Sequence, residues 1–122
     1  MVGVERRSSR WEDLIAADDD VAIAAITAAE LLVGVETADA RHRQARRSFV
    51  EGILATLPIE DYDLAAARSH AGLLAQTRRA GRIRGAHDLI IAATAVSRER
   101  IVVSPDVAAF EDLPGVVLRQ AS

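Results

Sequence analysis

Three acidic residues stand where a carboxylate is either costly or useful: Glu30, Asp88 and Asp106. Asp88 lies in the first turn of the segment Gly85-Ala86-His87-Asp88-Leu89-Ile90-Ile91-Ala92-Ala93-Thr94. That segment is apolar on nearly all sides, which marks a buried helix rather than a surface one. A carboxylate in the first turn gains from the free N–H groups and the positive end of the helix dipole. Burying its charge still costs several kcal/mol unless something cationic meets it. A plain helix-start aspartate is the alternative. Glu30 follows the strand-like run Val21 to Ile26, although Thr27-Ala28-Ala29-Glu30 also has the spacing of a capping box. Asp106 follows a second strand-like run that ends at Ser104. In open parallel sheets, ligands bind beyond the carboxyl ends of the strands. Glu30 and Asp106 sit just past such ends, and Asp88 reaches the same edge from its helix terminus. Converging carboxylates without His or Cys ligands suit a hard divalent cation, Mg²⁺ or Mn²⁺. Ions of this kind activate water and stabilise the leaving oxygen in phosphodiester hydrolysis.

The elements that must position these acids alternate between strand and helix. Asp18-Asp19-Asp20 is a polar turn leading into Val21–Ile26, a nearly continuous apolar run with β-branched residues that reads as a buried strand. Thr27 is a candidate N-cap for a helix over Ala28 to Val35. A longer helix is predicted from about Asp39 to Leu57, with Ala45, Phe49, Ile53 and Leu57 on one apolar face, and Pro58 ends it. Ile59 to Tyr62 reads as a short strand and Asp63 as the cap of a helix over Leu64 to Ala80. That helix places Leu64, Ala67, Ala71 and Leu74 on one side, and Gly81 stops it. After the Asp88 helix come a strand over Arg100 to Ser104, a turn at Pro105-Asp106, one helical turn over Val107 to Phe110, and a final strand over Val116 to Leu118. This alternation implies a parallel sheet covered on both faces, in one α/β domain over residues 1–122.

Composition narrows the function classes. The 122 residues fit one domain, and half of them are apolar, mostly aliphatic. There is no cysteine, which excludes disulfides and thiolate metal sites. The longest apolar run, Val21 to Val35, is too short to span a bilayer and carries Glu30. With no apolar signal segment at the start, a soluble cytoplasmic protein with no membrane association is expected. Every basic residue is arginine, and the net charge is −3, so nucleic-acid binding does not follow from overall charge. Arg41, Arg43, Arg46 and Arg47 form one cluster and Arg78, Arg79, Arg82 and Arg84 another, just before the Asp88 segment. Such forks suit phosphate or carboxylate, and solvated faces are the alternative. His87 adjoins Asp88 and reads as local packing, with tuning of Asp88 or RNA contact as the alternative; His42 and His70 read as surface residues. Trp11 is expected to anchor a first helix. The absence of a Gly-rich phosphate loop argues against an NTPase.

These segments support a family comparison. Val21-Ala22-Ile23-Ala24-Ala25-Ile26-Thr27-Ala28-Ala29-Glu30-Leu31 resembles the strand–helix segment that carries a glutamate in PIN-domain nucleases. The Gly85–Thr94 segment resembles the family's metal-binding aspartate segment. Val102-Val103-Ser104-Pro105-Asp106-Val107-Ala108-Ala109-Phe110 resembles its last acidic motif, with Ser104 at the place of a small hydroxyl residue. Together with Leu113-Pro114-Gly115-Val116, the likeness is closest to the VapC toxins of VapBC toxin–antitoxin pairs and covers about nine tenths of the chain. The resemblance implies a three-layer α/β/α PIN-like fold with a parallel sheet. It also implies an Mg²⁺- or Mn²⁺-dependent endoribonuclease that hydrolyses RNA phosphodiesters by metal-activated water. Glu30, Asp88 and Asp106 would hold the metal, with Ser104 in support. It implies inhibition by a VapB-type antitoxin and assembly as a homodimer or a toxin–antitoxin hetero-oligomer. Faces around Leu31, Leu32 and Val35, and around Phe49 and Ile53, are the antitoxin contacts expected on that analogy.

The likeness breaks at the start. The family begins with a strand ending in an aspartate that is a metal ligand, whereas Met1-Val2-Gly3-Val4-Glu5-Arg6-Arg7 resembles the helix after that strand. The N-terminal strand is therefore expected to be truncated, with three acids in place of four. Two further readings stay open: an inactive PIN fold that retains antitoxin binding, and a structural α/β or helical interaction domain whose acids are caps and surface charges.

Overall fold

The computed structural model describes residues 22–104 and 106–120. Along them run β1 (Ile23–Ala24), α1 (Ala25–Thr37), α2 (Arg43–Thr56), β2 (Ile59–Glu60), α3 (Leu64–Arg79), α4 (Ala86–Ser97), β3 (Val102–Ser104), a 3-10 turn (Val107–Ala109) and β4 (Leu118–Gln120). The strands form two parallel pairs. In one, Ile23 lies opposite Ile59 and Ala24 opposite Glu60; in the other, Val102, Val103 and Ser104 lie opposite Leu118, Arg119 and Gln120. The period of two along a strand sends neighbours to opposite faces. Ala24 and Val102 join Leu73, Leu89, Ala92, Phe110 and Leu113 in one buried cluster. Ile23 and Val103 join Leu31, Val35, Val50, Ile53 and Leu57 in another. The strands are thus sandwiched between α3 and α4 on one side and α1 and α2 on the other, which is the expected α/β three-layer arrangement. Among the described residues, β1 and β3 each carry a ladder on one edge. The expected loss of a first strand and the anchoring role of Trp11 fall outside the described residues.

Local signals in the sequence set several boundaries. Asp63 caps α3, its Oδ1 accepting the Ala66 N–H at 3.0 Å. Gly81, at φ +71°, ends that helix: the Arg82 N–H reaches the Thr77 carbonyl and the Gly81 N–H that of Arg78. The same motif closes α4, with Arg100 N–H on Ala95 O and Glu99 N–H on Val96 O. There the left-handed position is filled by Glu99 at φ 55°, not by glycine. Arg98 then ties the end of α4 to the start of α3. Its guanidinium donates to both Asp63 carboxylate oxygens, at 3.3 and 3.1 Å, and to the Asp61 carbonyl at 2.8 Å, and its Nε lies 3.2 Å from Glu60. Arg100 Nε holds the other Glu60 oxygen at 3.0 Å.

Four expectations need correction. The first apolar run is strand at Ile23–Ala24 and already helix from Ala25, so Thr27 lies inside α1 and caps nothing. A short apolar run fits a buried strand and a buried helix equally well, which is why its pattern misleads. The long second helix starts at Arg43, after a turn in which the His42 N–H bonds Asp39 Oδ1 at 3.0 Å. Helix α3 buries Ala66, Leu73 and Thr77, while Leu64 is exposed. The final strand begins at Leu118, two residues later than Val116.

Candidate functional site

Asp88, at the N-terminus of α4, lies near enough to Glu30 and Asp106 to feel the charge of both. Gly85 precedes the helix, and Asp88 stands in its first turn, half-buried. Burial raises the pKa of the Asp88 carboxyl above the 3.8 of an unperturbed aspartate, and the negative charges of Asp106 and Glu30 raise it further. His87 acts in the opposite direction. Two side chains from separate parts of the sequence therefore bear on one carboxylate. Glu30 projects from α1 and is exposed, with its Oε2 3.7 Å from His87 Nδ1. This contact bridges the middle of α1 and the first turn of α4. Glu30 makes no capping box, because the N-cap of α1 is Ala24 and no side chain caps it.

Asp106 is held by its own turn. Its N–H donates to Ser104 Oγ at 3.0 Å, and its Oδ1 accepts the Ala109 N–H at 3.3 Å. Ser104 is buried at the end of β3, so its hydroxyl fixes where the chain leaves the sheet. Asp106 itself is exposed.

Two positions that carry this geometry have roles that the sequence does not reveal, although Arg84 belongs to the cluster before the Asp88 segment and Gly85 opens that segment. One is Gly85: a Cβ there would stand 2.8 Å from Asp88 Oδ2, so the carboxylate folds back over the glycine. The other is Arg84, whose guanidinium binds the segment after Asp106 through the carbonyls of Ala109 and Glu111, at 3.2 and 2.7 Å. The other arginines are mostly at the surface. Arg47 lies 3.8 Å from Glu36 and Arg82 3.4 Å from Asp112. His70 Nδ1 lies 2.8 Å from the Tyr62 hydroxyl, away from the acids in sequence and in contact.

Chemically, the arrangement offers oxygen donors of a hard type around a carboxylate whose charge is disfavoured. A divalent cation would relieve both the burial cost and the mutual repulsion. Among the described residues, no group of three or more His, Asp or Glu side chains is already drawn tightly enough to hold an ion. Glu30 and Asp106 are both exposed, and each would have to turn its free oxygens towards Asp88.

The faces expected to meet a partner divide. Leu31, Val35 and Ile53 are buried between α1 and α2, and Phe49 packs against them, so they serve the core. Leu32 and Val33 remain exposed on α1. Among the described residues no helix is long and apolar enough to cross a membrane.

Comparison with known proteins identifies the family. The PIN domain family model matches residues 3–115. The tRNA(fMet)-specific endonuclease VapC of Salmonella typhimurium is 36% identical over 94 residues, which is 77% of this chain and 70% of that protein. The VapC ribonuclease Y4jK of Sinorhizobium fredii is 38% identical over 93 residues, 73% of this chain and 66% of its own. Among solved structures, the DNA-bound VapBC of Salmonella typhimurium superposes with a TM-score of 0.84 at 29% identity, covering 93% of this chain and 85% of that one. VapBC-5 of Mycobacterium tuberculosis gives 0.74 at 33% identity, over 82% of this chain and 81% of that one. With the family model spanning nearly the whole chain and VapC relatives more than 30% identical over most of it, the chain belongs to the PIN-domain family, in its VapC type.

Proposed function

We propose that this protein is a metal-dependent endoribonuclease, the toxin of a type II toxin–antitoxin pair, working in the cytoplasm and held in check by a VapB-type antitoxin. The reading is supported by the half-buried Asp88 at the head of α4, whose charge is disfavoured by burial and then by the nearby Asp106 and Glu30. Asp88, Glu30 and Asp106 would hold Mg²⁺ or Mn²⁺, and such an ion, when bound, activates water and offsets charge on the scissile phosphate. Asp88 is the shared member of the set, fixed by a helix terminus, while Glu30 and Asp106 approach from α1 and from the turn after β3. Ser104 supports Asp106 by accepting its N–H. His87 lies against Glu30 at the surface, where a protonated imidazole would meet either that carboxylate or an RNA phosphate.

The names of the relatives support the choice of substrate and partner. Two are called endonuclease or ribonuclease VapC, and two neighbours are VapBC toxin–antitoxin complexes. On that basis we assign RNA as substrate, with the exposed Leu32 and Val33 on α1 offered to an antitoxin, in a homodimer or toxin–antitoxin hetero-oligomer. The test is cleavage of structured RNA with Mg²⁺ or Mn²⁺, in the presence and absence of a chelator, beside Asp88→Asn. Cleavage that stops on chelation and is lost in the variant is expected. Antitoxin binding without metal-dependent cleavage would favour an inactive binding module, and an unchanged rate for the variant would overturn the site assignment.

A further inference from the structure

Arg84 lies just before Gly85 and four residues before Asp88, yet its bonds go to another part of the chain. Its Nη2 donates to the Glu111 carbonyl at 2.7 Å, and its Nη1 reaches those of Ala109 at 3.2 Å and Ala108 at 3.4 Å. One guanidinium thus gathers three carbonyl oxygens at the far end of the 3-10 turn that Asp106 begins. The near end of that turn is held by Ser104 Oγ on the Asp106 N–H and by Asp106 Oδ1 on the Ala109 N–H. Arg82, two residues earlier, reinforces the same link through Asp112 at 3.4 Å. The bond set needs the planar fork of arginine; an ammonium group reaches fewer carbonyls at once.

Arg84 is also held at a cost. Its Nε is buried with no hydrogen-bond partner. Half-buried at this position, the charged side chain is not a solvated surface arginine. Its carbonyl acceptors belong to the turn that carries Asp106, and its backbone leads directly into the helix that carries Asp88.

We propose that Arg84 is a positioning residue that sets the turn bearing Asp106 against the head of α4, so that the Asp106 and Asp88 carboxylates stand at a fixed separation. The inference rests on the metal-site reading given above, and its test separates the two. Arg84→Met removes the fork, and Arg84→Lys keeps the charge without it. Hydrogen exchange over residues 106–112 reports the strap without any metal, with residues 89–97 as internal control. Mn²⁺ binding to the same proteins, followed by electron paramagnetic resonance, reports the position of the acids. In Arg84→Met, exchange over 106–112 is expected to quicken while 89–97 stays protected. Mn²⁺ affinity should fall by roughly 10–100-fold, the range seen when groups behind metal ligands are removed. Arg84→Lys should fall between this variant and the parent in both measurements.

Unchanged exchange over 106–112 would overturn the strap. Faster exchange with unchanged Mn²⁺ affinity would reduce Arg84 to a structural residue and overturn the positioning role. A parent protein that binds no Mn²⁺ would overturn the metal reading, and with it the positioning role, while the exchange measurement still decided whether the strap exists.

Discussion

Gly85→Ala separates the site from the fold more sharply than any other single change. The backbone at Gly85 has φ −61° and ψ 137°, which any residue adopts, so glycine is not required there for conformation. The constraint is spatial. An added Cβ would lie 2.8 Å from Asp88 Oδ2, 3.4 Å from its Cγ and 3.9 Å from its Cβ. Ordinary contact begins near 3.4 Å, so the carboxylate oxygen must withdraw by about 0.6 Å or the side chain must change rotamer. Moving the end of a half-exposed side chain costs the fold little. Replacing glycine at a compatible position returns about 0.4–1 kcal/mol through the unfolded chain, but Gly85 is the N-cap of α4, where alanine is the poorer residue by a comparable amount. The metal-free melting temperature should therefore hold within about 5 °C. Function should respond far more, because a site tolerates only about 0.5 Å of displacement and about 1 Å costs on the order of 10²-fold. We expect Gly85→Ala to cut the rate of RNA cleavage by about 10–100-fold. Thermal melting without metal and single-turnover cleavage with Mn²⁺ measure the two effects. A fold weakened by more than about 2 kcal/mol, outside the range for surface positions, would show that Gly85 serves structure. Full activity in a stable variant would show that the location of the Asp88 carboxylate is immaterial.

Other outcomes follow from the same geometry. Because the folded protein holds the Asp88 proton more tightly than the unfolded chain, its contribution to stability is complete below about pH 3.8 and disappears as pH rises through the raised folded value. Asp88→Asn should therefore melt higher than the parent at neutral pH without metal and gain nothing from added Mn²⁺; a lower melting temperature would contradict the burial and repulsion argument. Asp63 behaves oppositely: the Ala66 N–H and then Arg98 lower its pKa, so its contribution is present above pH 3.8 and is lost as pH falls through the lowered folded value. Asp63→Asn should flatten that acid limb of the stability profile, which melting curves between pH 2 and 6, roughly the span of carboxylate titration, would reveal. Glu99→Gly relieves a left-handed φ of 55° and should raise stability by roughly 1 kcal/mol, read by denaturant unfolding. Leu89, buried next to Asp88, should cost about 2–5 kcal/mol on replacement by alanine; a loss under 1 kcal/mol would mean that α4 is not the core helix.

Elements with chemical punctuation were legible in the sequence. Asp63 as a cap and Gly81 as a stop act through their own backbone neighbours, so nothing distant had to be known. The strand alternation and a parallel sheet covered on both faces followed from buried runs separated by turns, and the three-layer PIN-like arrangement from the family resemblance. Faces and starts were less legible. Residues 64, 67, 71 and 74 of α3 look like one apolar face, but Ala66, Leu73 and Thr77 are the buried set. Small residues let α3 approach the alanine-rich α4 closely, and Thr77 can be buried because its hydroxyl bonds the Leu74 carbonyl at 2.9 Å. That choice depends on the partner helix, which no single segment encodes.

For the site, position past a strand end singled out Glu30 and Asp106, and an acid in an apolar helix singled out Asp88. Their proximity in space is what the structure adds, through the effect of both on the Asp88 carboxyl. The roles of Arg84 and Gly85 were not legible for a physical reason, although both lie in segments that the sequence singled out. An arginine that grips carbonyls uses backbone atoms common to every residue, and a glycine chosen for a neighbour's carboxylate looks like any helix-start glycine.

The central claim is that Asp88 couples Glu30 and Asp106 into one site for a divalent cation. Mn²⁺ titration followed by electron paramagnetic resonance, on the parent chain and on Asp88→Asn, tests it most directly. The account predicts saturable Mn²⁺ binding that competes with Mg²⁺ and is lost in the variant. Equal binding by both proteins would place the ion elsewhere and contradict it.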